Sequence, residues 1–484
     1  MIQGTGSDVG KSIIVAGLAR AFTRRGLKVK PFKPQNMSNN AAVTADGGEI
    51  GRAQALQAFA ANVEPTVDMN PVLLKPQSDK TAQVVVHGKV AGTAEAIDYQ
   101  HRKSTLLPAV LESFDRLCEG ADLVLVEGAG SPAEVNLRTG DIANMGFAEA
   151  AKVPVILAGD IDRGGVIASI VGTHFLLPHT ERDLIKAFLI NKFRGDVRLF
   201  DEGMNIIAER TGWAPMGILP HVPEVAQLPS EDTIDRAQYG ASDEIILQIA
   251  IPMLSRIANF DDFDPLLVEP GVAVQMIPPG SPLPGDADLV ILPGSKSTLG
   301  DLEFLRHQGW DIDLAAHVRR GGAVFGVCAG FQMLGREIID NEGVDGVPGR
   351  AKGLGYLDIE TTLTESKTLR HVSGYHEPSG REIDGYEMHV GETTGPDCAR
   401  PLVNIEGRAD GAISTDGQIS GCYVHGIFAS DEFRNAYLQS LNAELTQTAA
   451  YRTTIDRALN ALADRMEVCL DLDLVLRIAK EGVA

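Results

Sequence analysis

Two doubly wound α/β domains in series are the architecture this sequence predicts, and three observations predict it. The chain has 484 residues, more than one hydrophobic core usually organises, so units of about 200 to 250 residues are expected. Short apolar runs alternate with helical stretches twice along the chain, the pattern of parallel strands joined by crossover helices. Between the two series, from Pro220 to Glu244, the periodicity fades into Pro, Asp, Ser and Gly, which reads as a linker. The boundaries follow as 1–232 for the first domain, 245–440 for the second and 441–484 for a helical C-terminal tail.

In the first domain the buried-strand candidates are Leu123 to Val126, Val153 to Ala158 and Ala187 to Ile190. Only Met1 to Gln3 precede the first glycine-rich loop, short for a strand of about five residues. That strand is expected to be either unusually short or clipped at its start. The second series runs through Ile245 to Ile251, Leu289 to Leu292 and Ala323 to Val327. Beyond Asp431 the pattern turns helical, and Thr453 to Ala479 carries no recognisable chemistry and reads as packing.

Composition narrows the function classes. Apolar residues make up 44% and charged residues 22%, an ordinary globular balance, and no apolar run approaches the roughly 20 residues of a membrane span. The start, Met1 to Ser12, has neither the basic nor the apolar part of a secretory signal, so a soluble cytoplasmic protein without a membrane partner is expected. A net charge of −22 disfavours nucleic acid as a partner. Cys118, Cys328, Cys398, Cys422 and Cys469 lack paired spacing, which argues against disulfides or a zinc site and leaves nucleophile as the role for an important cysteine. The chain leaves oligomeric state open, and a homo-oligomer is compatible with it.

Gly4-Thr5-Gly6-Ser7-Asp8-Val9-Gly10-Lys11-Ser12, followed by the apolar stretch Ile13 to Phe22, fits a phosphate-binding loop. Glycines let backbone N–H groups wrap phosphates, Lys11 meets the terminal phosphates, and the Ser12 hydroxyl suits magnesium at a helix N-terminus. Gly4, Thr5, Gly6, Ser7, Gly10, Lys11 and Ser12 are therefore the expected ATP-binding set. Glu127 leaves the apolar run Leu123 to Val126 next to Gly128, Ala129 and Gly130. It is the second magnesium candidate with Ser12, the plain alternative being an acidic turn residue.

In the second half, Ala323-Val324-Phe325-Gly326-Val327-Cys328-Ala329-Gly330-Phe331-Gln332 is an apolar strand, a Gly-x-Cys-x-Gly turn and a helix start. The glycines permit a sharp turn that exposes the thiol, and the helix N-terminus favours thiolate and oxyanion. A thiol nucleophile needs a base, and eleven histidines compete for that role.

The phosphate loop with Val126-Glu127-Gly128-Ala129-Gly130 resembles the dethiobiotin synthetase group, which activates carboxylates with ATP. Lys33-Pro34-Gln35-Asn36-Met37-Ser38-Asn39-Asn40, Glu49 to Gln54, Met69 to Pro76, Gly159 to Gly165 and Ile190 to Gly195 sharpen this to a resemblance to the cobyric acid synthases, spanning nearly the whole chain. The fold it implies is a P-loop NTPase-like domain followed by a class I glutamine amidotransferase-like domain. It implies His425, in Tyr423-Val424-His425-Gly426, as the base, with His389 the runner-up and a residue lining the glutamine or interdomain region. It also implies an oxyanion and glutamine-binding set of Gly294, Ala329 and Gln332 with His389. Position 427 is Ile where many such amidotransferases carry Glu, so the third triad member is expected to be absent or to come from elsewhere.

On the synthetase side the resemblance points to Lys33 near the transferring phosphate, to Asn191 near the nucleotide base and to Glu49 as a further magnesium ligand. Lys75, Arg163 and Arg194 are candidates for holding acidic groups of substrate. The implied reaction uses ATP, Mg2+ and glutamine to amidate the b, d, e and g carboxylates of adenosylcobyrinic acid a,c-diamide, a corrinoid. The alternatives are the synthase that amidates the a and c carboxylates and, from another class, a P-loop ATPase switch protein. The Lys33 to Asn40 string speaks against the first, and Cys328 with His425 against the second.

Overall fold

The computed structural model describes residues 1–77, 80–229, 239–240, 245–346, 348–446 and 448–481. Of the expected linker, Pro220 to Glu244, residues 230–238 and 241–244 lie outside them. The chain divides into two compact units, one of residues 1–38, 44–229 and 455–484, the other of 39–43 and 230–454.

In the first unit, Val29–Phe32 pairs in parallel with Leu123–Val126, while Ile2–Gly4, Val155–Asp160, Ile185–Phe193 and Ala214–Pro220 form a parallel sheet in that order. A parallel bridge from Ile2 to Glu127 joins the two ladders. The strand before the phosphate loop is indeed three residues long, yet it is held in register along its length, Ile2 to Ile156, Gln3 to Leu157 and Gly4 to Ala158. Both candidate phosphate-site elements thus leave adjacent parallel strands at their carboxyl ends, where α/β sheets place ligands. A mixed side sheet, Gln35–Met37, Val72–Pro76, Thr81–Val86 and Lys89–Glu95, adds to this unit.

The C-terminal helices, Tyr451–Cys469 and Leu472–Glu481, bring residues 455–481 back into the first unit. Gly17 lets the helix Lys11–Arg24 meet them, because a Cβ there would lie 2.7 Å from Met466 and 2.8 Å from Leu462. Arg20 pairs with Asp456 at 2.7 Å and Arg25 with Asp473 at 2.8 Å. Leu462 is wholly buried, so Leu462→Ala is expected to cost about 2 to 5 kcal/mol, read as a lower denaturation midpoint of the full chain.

In the second unit a sheet runs Tyr239–Gly240, Val272–Ile277, Leu247–Pro252, Leu289–Leu292, Ala323–Val327, Ile419–Cys422, Ala412–Ile413. Its inner strands are parallel and its two edges antiparallel. A second, largely antiparallel sheet is built on the long hairpin Glu360–His376 and Glu382–Thr394, and Val424–His425 lies on its edge, with His425 opposite Tyr386. Among the described residues no helix is long and apolar enough to cross a membrane.

Candidate active sites

The strand Ala323–Val327 turns into the helix Ala329–Leu334 through Cys328, whose φ of 52° lies in the left-handed region. Such a conformation is strained for a side-chain-bearing residue and recurs at nucleophile elbows. Close packing explains both flanking glycines: a Cβ on Gly326 would sit 2.7 Å from the Phe331 backbone, and one on Gly330 2.0 Å from the Leu292 carbonyl oxygen. The Cys328 N–H donates to the Cys422 carbonyl at 2.9 Å, and its Sγ lies 3.7 Å from the Met388 carbonyl oxygen.

His425 is buried, and its ring contacts the Cys328 thiol. Its Nδ1 lies 2.7 Å from Asp262 Oδ2, and the other Asp262 oxygen accepts the Gly426 N–H at 2.6 Å. Burial works against a charged ring, but the Asp262 carboxylate, with the Cys328 sulfur beside it, outweighs burial and raises the proton affinity of the imidazole. Thiol, imidazole and carboxylate therefore stand in series, with Asp262 fixing the Nδ1–H tautomer. Position 427 is Ile, and the carboxylate that meets His425 belongs to Asp262, in Asn259-Phe260-Asp261-Asp262, upstream of the cysteine. Acids after an apolar strand mark that turn, but nothing local separates Asp262 from Asp261, which is buried as well.

Gly294 packs against this group: a Cβ there would lie 3.0 Å from His425 Cε1, and its carbonyl accepts the Ala258 N–H at 2.9 Å. Ala329 opens the elbow helix. Gln332 is buried, its Nε2 donating to the Val390 carbonyl at 3.0 Å and its Oε1 accepting from Thr298 at 3.1 Å. His389 follows Met388 and stacks on Tyr423 at 3.8 Å between ring centroids, with Nε2 3.8 Å from Glu387, and the Tyr423 hydroxyl accepts from Gln332 Nε2 at 3.2 Å. Burial alone would raise the Glu387 carboxyl, but hydrogen bonds from His389, Arg370 and Arg408 hold it at about 2.

In the first unit, Glu127 is the hub. Its Oε1 accepts from Ser12 Oγ and Lys33 Nζ, each at 2.8 Å, and its Oε2 accepts from Gln57 at 2.5 Å and Gln54 at 3.3 Å. Burial would raise this carboxyl, but Lys33, Gln57 and Ser12 hold it below the usual range. Lys11 Nζ reaches the carbonyls of Gly6 at 2.8 Å and Gly130 at 3.0 Å, so Lys11, Ser12, Lys33 and Glu127 lie close together. Gly10, at φ 92°, caps the helix; a Cβ there would sit 2.4 Å from Asn191 Nδ2. Gln54 and Gln57 were not foreseen, lying on a helix, Arg52–Ala60, whose pattern shows only packing.

The remaining candidates are more dispersed. Asn191 Nδ2 donates to the Val9 carbonyl at 2.8 Å and so braces the phosphate loop. Arg163 pairs with Asp8 of that loop at 3.1 Å and Arg194 with Asp162 at 3.2 Å, both arginines being exposed. Lys75 and Glu49 form a buried ion pair at 2.7 Å, so a substrate candidate and a metal candidate meet each other.

Comparison with known proteins places these sites in context. Residues 248–433 match the CobB/CobQ-like glutamine amidotransferase domain, and residues 1–234 the CobQ/CobB/MinD/ParA nucleotide binding domain. The chain is 59% identical over 480 residues to a cobyric acid synthase of Cereibacter sphaeroides, covering 99% of each chain. It is 59% identical over 482 residues to that of Methylorubrum populi and 57% over 480 residues to that of Bradyrhizobium diazoefficiens, again covering 99% of each. With both halves matched and such identity along the whole length, the chain belongs to the cobyric acid synthase family, glutamine-dependent amidating enzymes of cobalamin biosynthesis.

Proposed function

We propose that this chain uses ATP and Mg2+ to amidate the b, d, e and g carboxylates of adenosylcobyrinic acid a,c-diamide with glutamine nitrogen, giving adenosylcobyric acid in the cytoplasm. The observation that carries the reading is the Cys328, His425 and Asp262 series in a chain whose other unit carries the phosphate loop.

In the glutaminase half, Cys328 Sγ attacks the glutamine carboxamide carbon as His425 Nε2 takes the thiol proton. The C–N bond breaks as His425 returns that proton to the leaving nitrogen, giving ammonia and a γ-glutamyl thioester. Water, deprotonated by His425, then cleaves the C–S bond and releases glutamate. Backbone donors at Ala329 and in the Gly294 loop serve the oxyanion.

In the synthetase half, a substrate carboxylate oxygen attacks the γ-phosphorus of ATP and expels ADP; ammonia then attacks the acyl phosphate carbon, expels phosphate and loses a proton to leave the amide. Lys11 and Lys33 stabilise the charge that moves during transfer. Ser12 and Glu127 would hold a magnesium ion: a hydroxyl and a carboxylate oxygen lie 2.8 Å apart there, donor types that suit it. Among the described residues no group of three or more His, Cys, Asp or Glu side chains could hold a metal ion. Bound there, the ion supplies charge neutralisation. Mass spectrometry of the corrinoid after incubation with ATP, Mg2+, glutamine and the a,c-diamide tests this reading: conversion at the b, d, e and g positions supports it, and an unchanged corrinoid refutes it.

The roles of the histidines give a separate expectation. His425→Ala should lower labelling of Cys328 by a glutamine-mimicking electrophile about 10²- to 10⁴-fold, with Asp262→Asn following in the same direction through loss of the tautomer. His389→Ala should preserve labelling at saturating reagent. The reverse ranking of the two histidines would overturn the assignment of His425 as base.

A further inference from the structure

The turn that carries Asp262 also carries Asn259, which is buried and adopts φ 53°, a region that Asn and Asp tolerate better than other side chains. Its carboxamide meets Ala41, His425 and, at 3.9 Å from Nδ2, the Met388 sulfur. The Ala41 N–H donates to Oδ1 at 3.2 Å, which identifies the oxygen end of the amide. Nδ2 therefore faces His425 Nε2, at 3.4 Å.

Ala41 lies in residues 39–43, which belong to the second unit although the chain on both sides belongs to the first. The segment is held there by the Phe260 N–H on Asn40 Oδ1 at 3.2 Å and by His371 Nε2 against the Val43 carbonyl at 3.0 Å. Upstream it continues directly from Gln35–Met37 and Lys33.

Nε2 is the atom that must accept the Cys328 proton. An amide N–H facing it suits the lone pair of neutral imidazole but opposes the N–H of the imidazolium. Asp262 on Nδ1 favours the charged ring, while Asn259, as Ala41 orients it, favours the neutral one. Without the Ala41 N–H the amide is free to turn over and offer Oδ1 to Nε2–H, which stabilises the charged ring instead.

Resting on the glutaminase reading above, we propose that residues 39–43 are a latch on glutamine hydrolysis. Docked, the segment sets the Asn259 amide against protonation of His425. When the synthetase site fills, the chain that runs from Lys33 through the strand Gln35–Met37 draws the segment off and frees the amide. Asn259 is thus a positioning residue, and its amide orientation carries the signal.

Glutamine hydrolysis by the full chain, without ATP or corrinoid, tests this. Asn259→Asp keeps the size and the backbone tolerance but puts a carboxylate oxygen where the N–H stood. It is expected to raise that hydrolysis about tenfold, one decade of proton affinity. Adding ATP, Mg2+ and the a,c-diamide should stimulate the wild type and leave Asn259→Asp without further gain. Hydrolysis in the variant at or below the wild-type rate overturns the latch, and so does a wild-type rate that ignores those substrates. Ammonia-supported amidation in the same preparation checks folding. Should Asn259→Asp fail that check, Ala41→Pro, which deletes the orienting N–H, must give the same rise, and an unchanged rate there overturns the proposal. Cys328→Ser run alongside separates the two claims, because hydrolysis persisting in it would refute the glutaminase reading rather than the latch.

Discussion

Cys328→Ala is expected to abolish amidation supported by glutamine while amidation supported by high free ammonia persists. The thioester cannot form without Sγ, and no neighbouring group replaces it: Cys422 is fully buried on the adjacent strand, and burial pushes its thiol well up. The phosphate loop, Lys33 and Glu127 lie in the other unit and keep their contacts. Rates with each nitrogen donor, measured on one preparation, check the division. Equal loss of both activities in a folded variant would show that the two half-reactions are not separable in this way.

Lys11→Ala is expected to remove amidation with either donor. Its ammonium is placed by the carbonyls of Gly6 and Gly130, at the loop where the terminal phosphates are expected. Losing one such donor from a preorganised site costs roughly 10²- to 10³-fold in rate, and a lost phosphate-positioning contact adds to this. In the proposed order, with carboxylate activation before attack by nitrogen, supplying ammonia does not rescue the variant. Cys328 labelling by the glutamine mimic should remain in Lys11→Ala, which distinguishes this defect from a folding failure. Near wild-type product formation with ATP would remove the phosphate loop from the mechanism.

The parts of this molecule that sequence makes legible are those whose physics is local. Leu123–Val126, Leu289–Leu292 and Ala323–Val327 are short buried apolar runs and fold as strands over those same residues. The loop before Lys11 and the turn around Cys328 are legible because glycine spacing reports close backbone approach. The hairpin Glu360–His376 and Glu382–Thr394 is not. Its strands carry many polar, partly exposed side chains, so they lack a clean alternating stripe, and their pairing is set by contacts with each other.

Asp262 was out of reach for a different reason. It meets His425 across 163 residues of chain, and nothing in Asn259-Phe260-Asp261-Asp262 separates the acid that orients an imidazole from its acidic neighbours. The excursion of residues 39–43 into the second unit is equally silent in sequence, since a segment recognised by its resemblance carries no record of which core receives it. Gln54 and Gln57 became visible only when Glu127 was seen to accept from both.

The central claim is that nitrogen released at Cys328 becomes the amide nitrogen made in the ATP-dependent half of the same chain. The most direct measurement supplies amide-¹⁵N glutamine together with unlabelled ammonium to the wild type and to Cys328→Ala, with ATP, Mg2+ and the a,c-diamide, and reads the isotope in the corrinoid product by mass spectrometry. The account predicts ¹⁵N at the new amides from the wild type and unlabelled nitrogen at the same positions from Cys328→Ala. Unlabelled amides from the wild type, or ¹⁵N-labelled amides from Cys328→Ala, would contradict it.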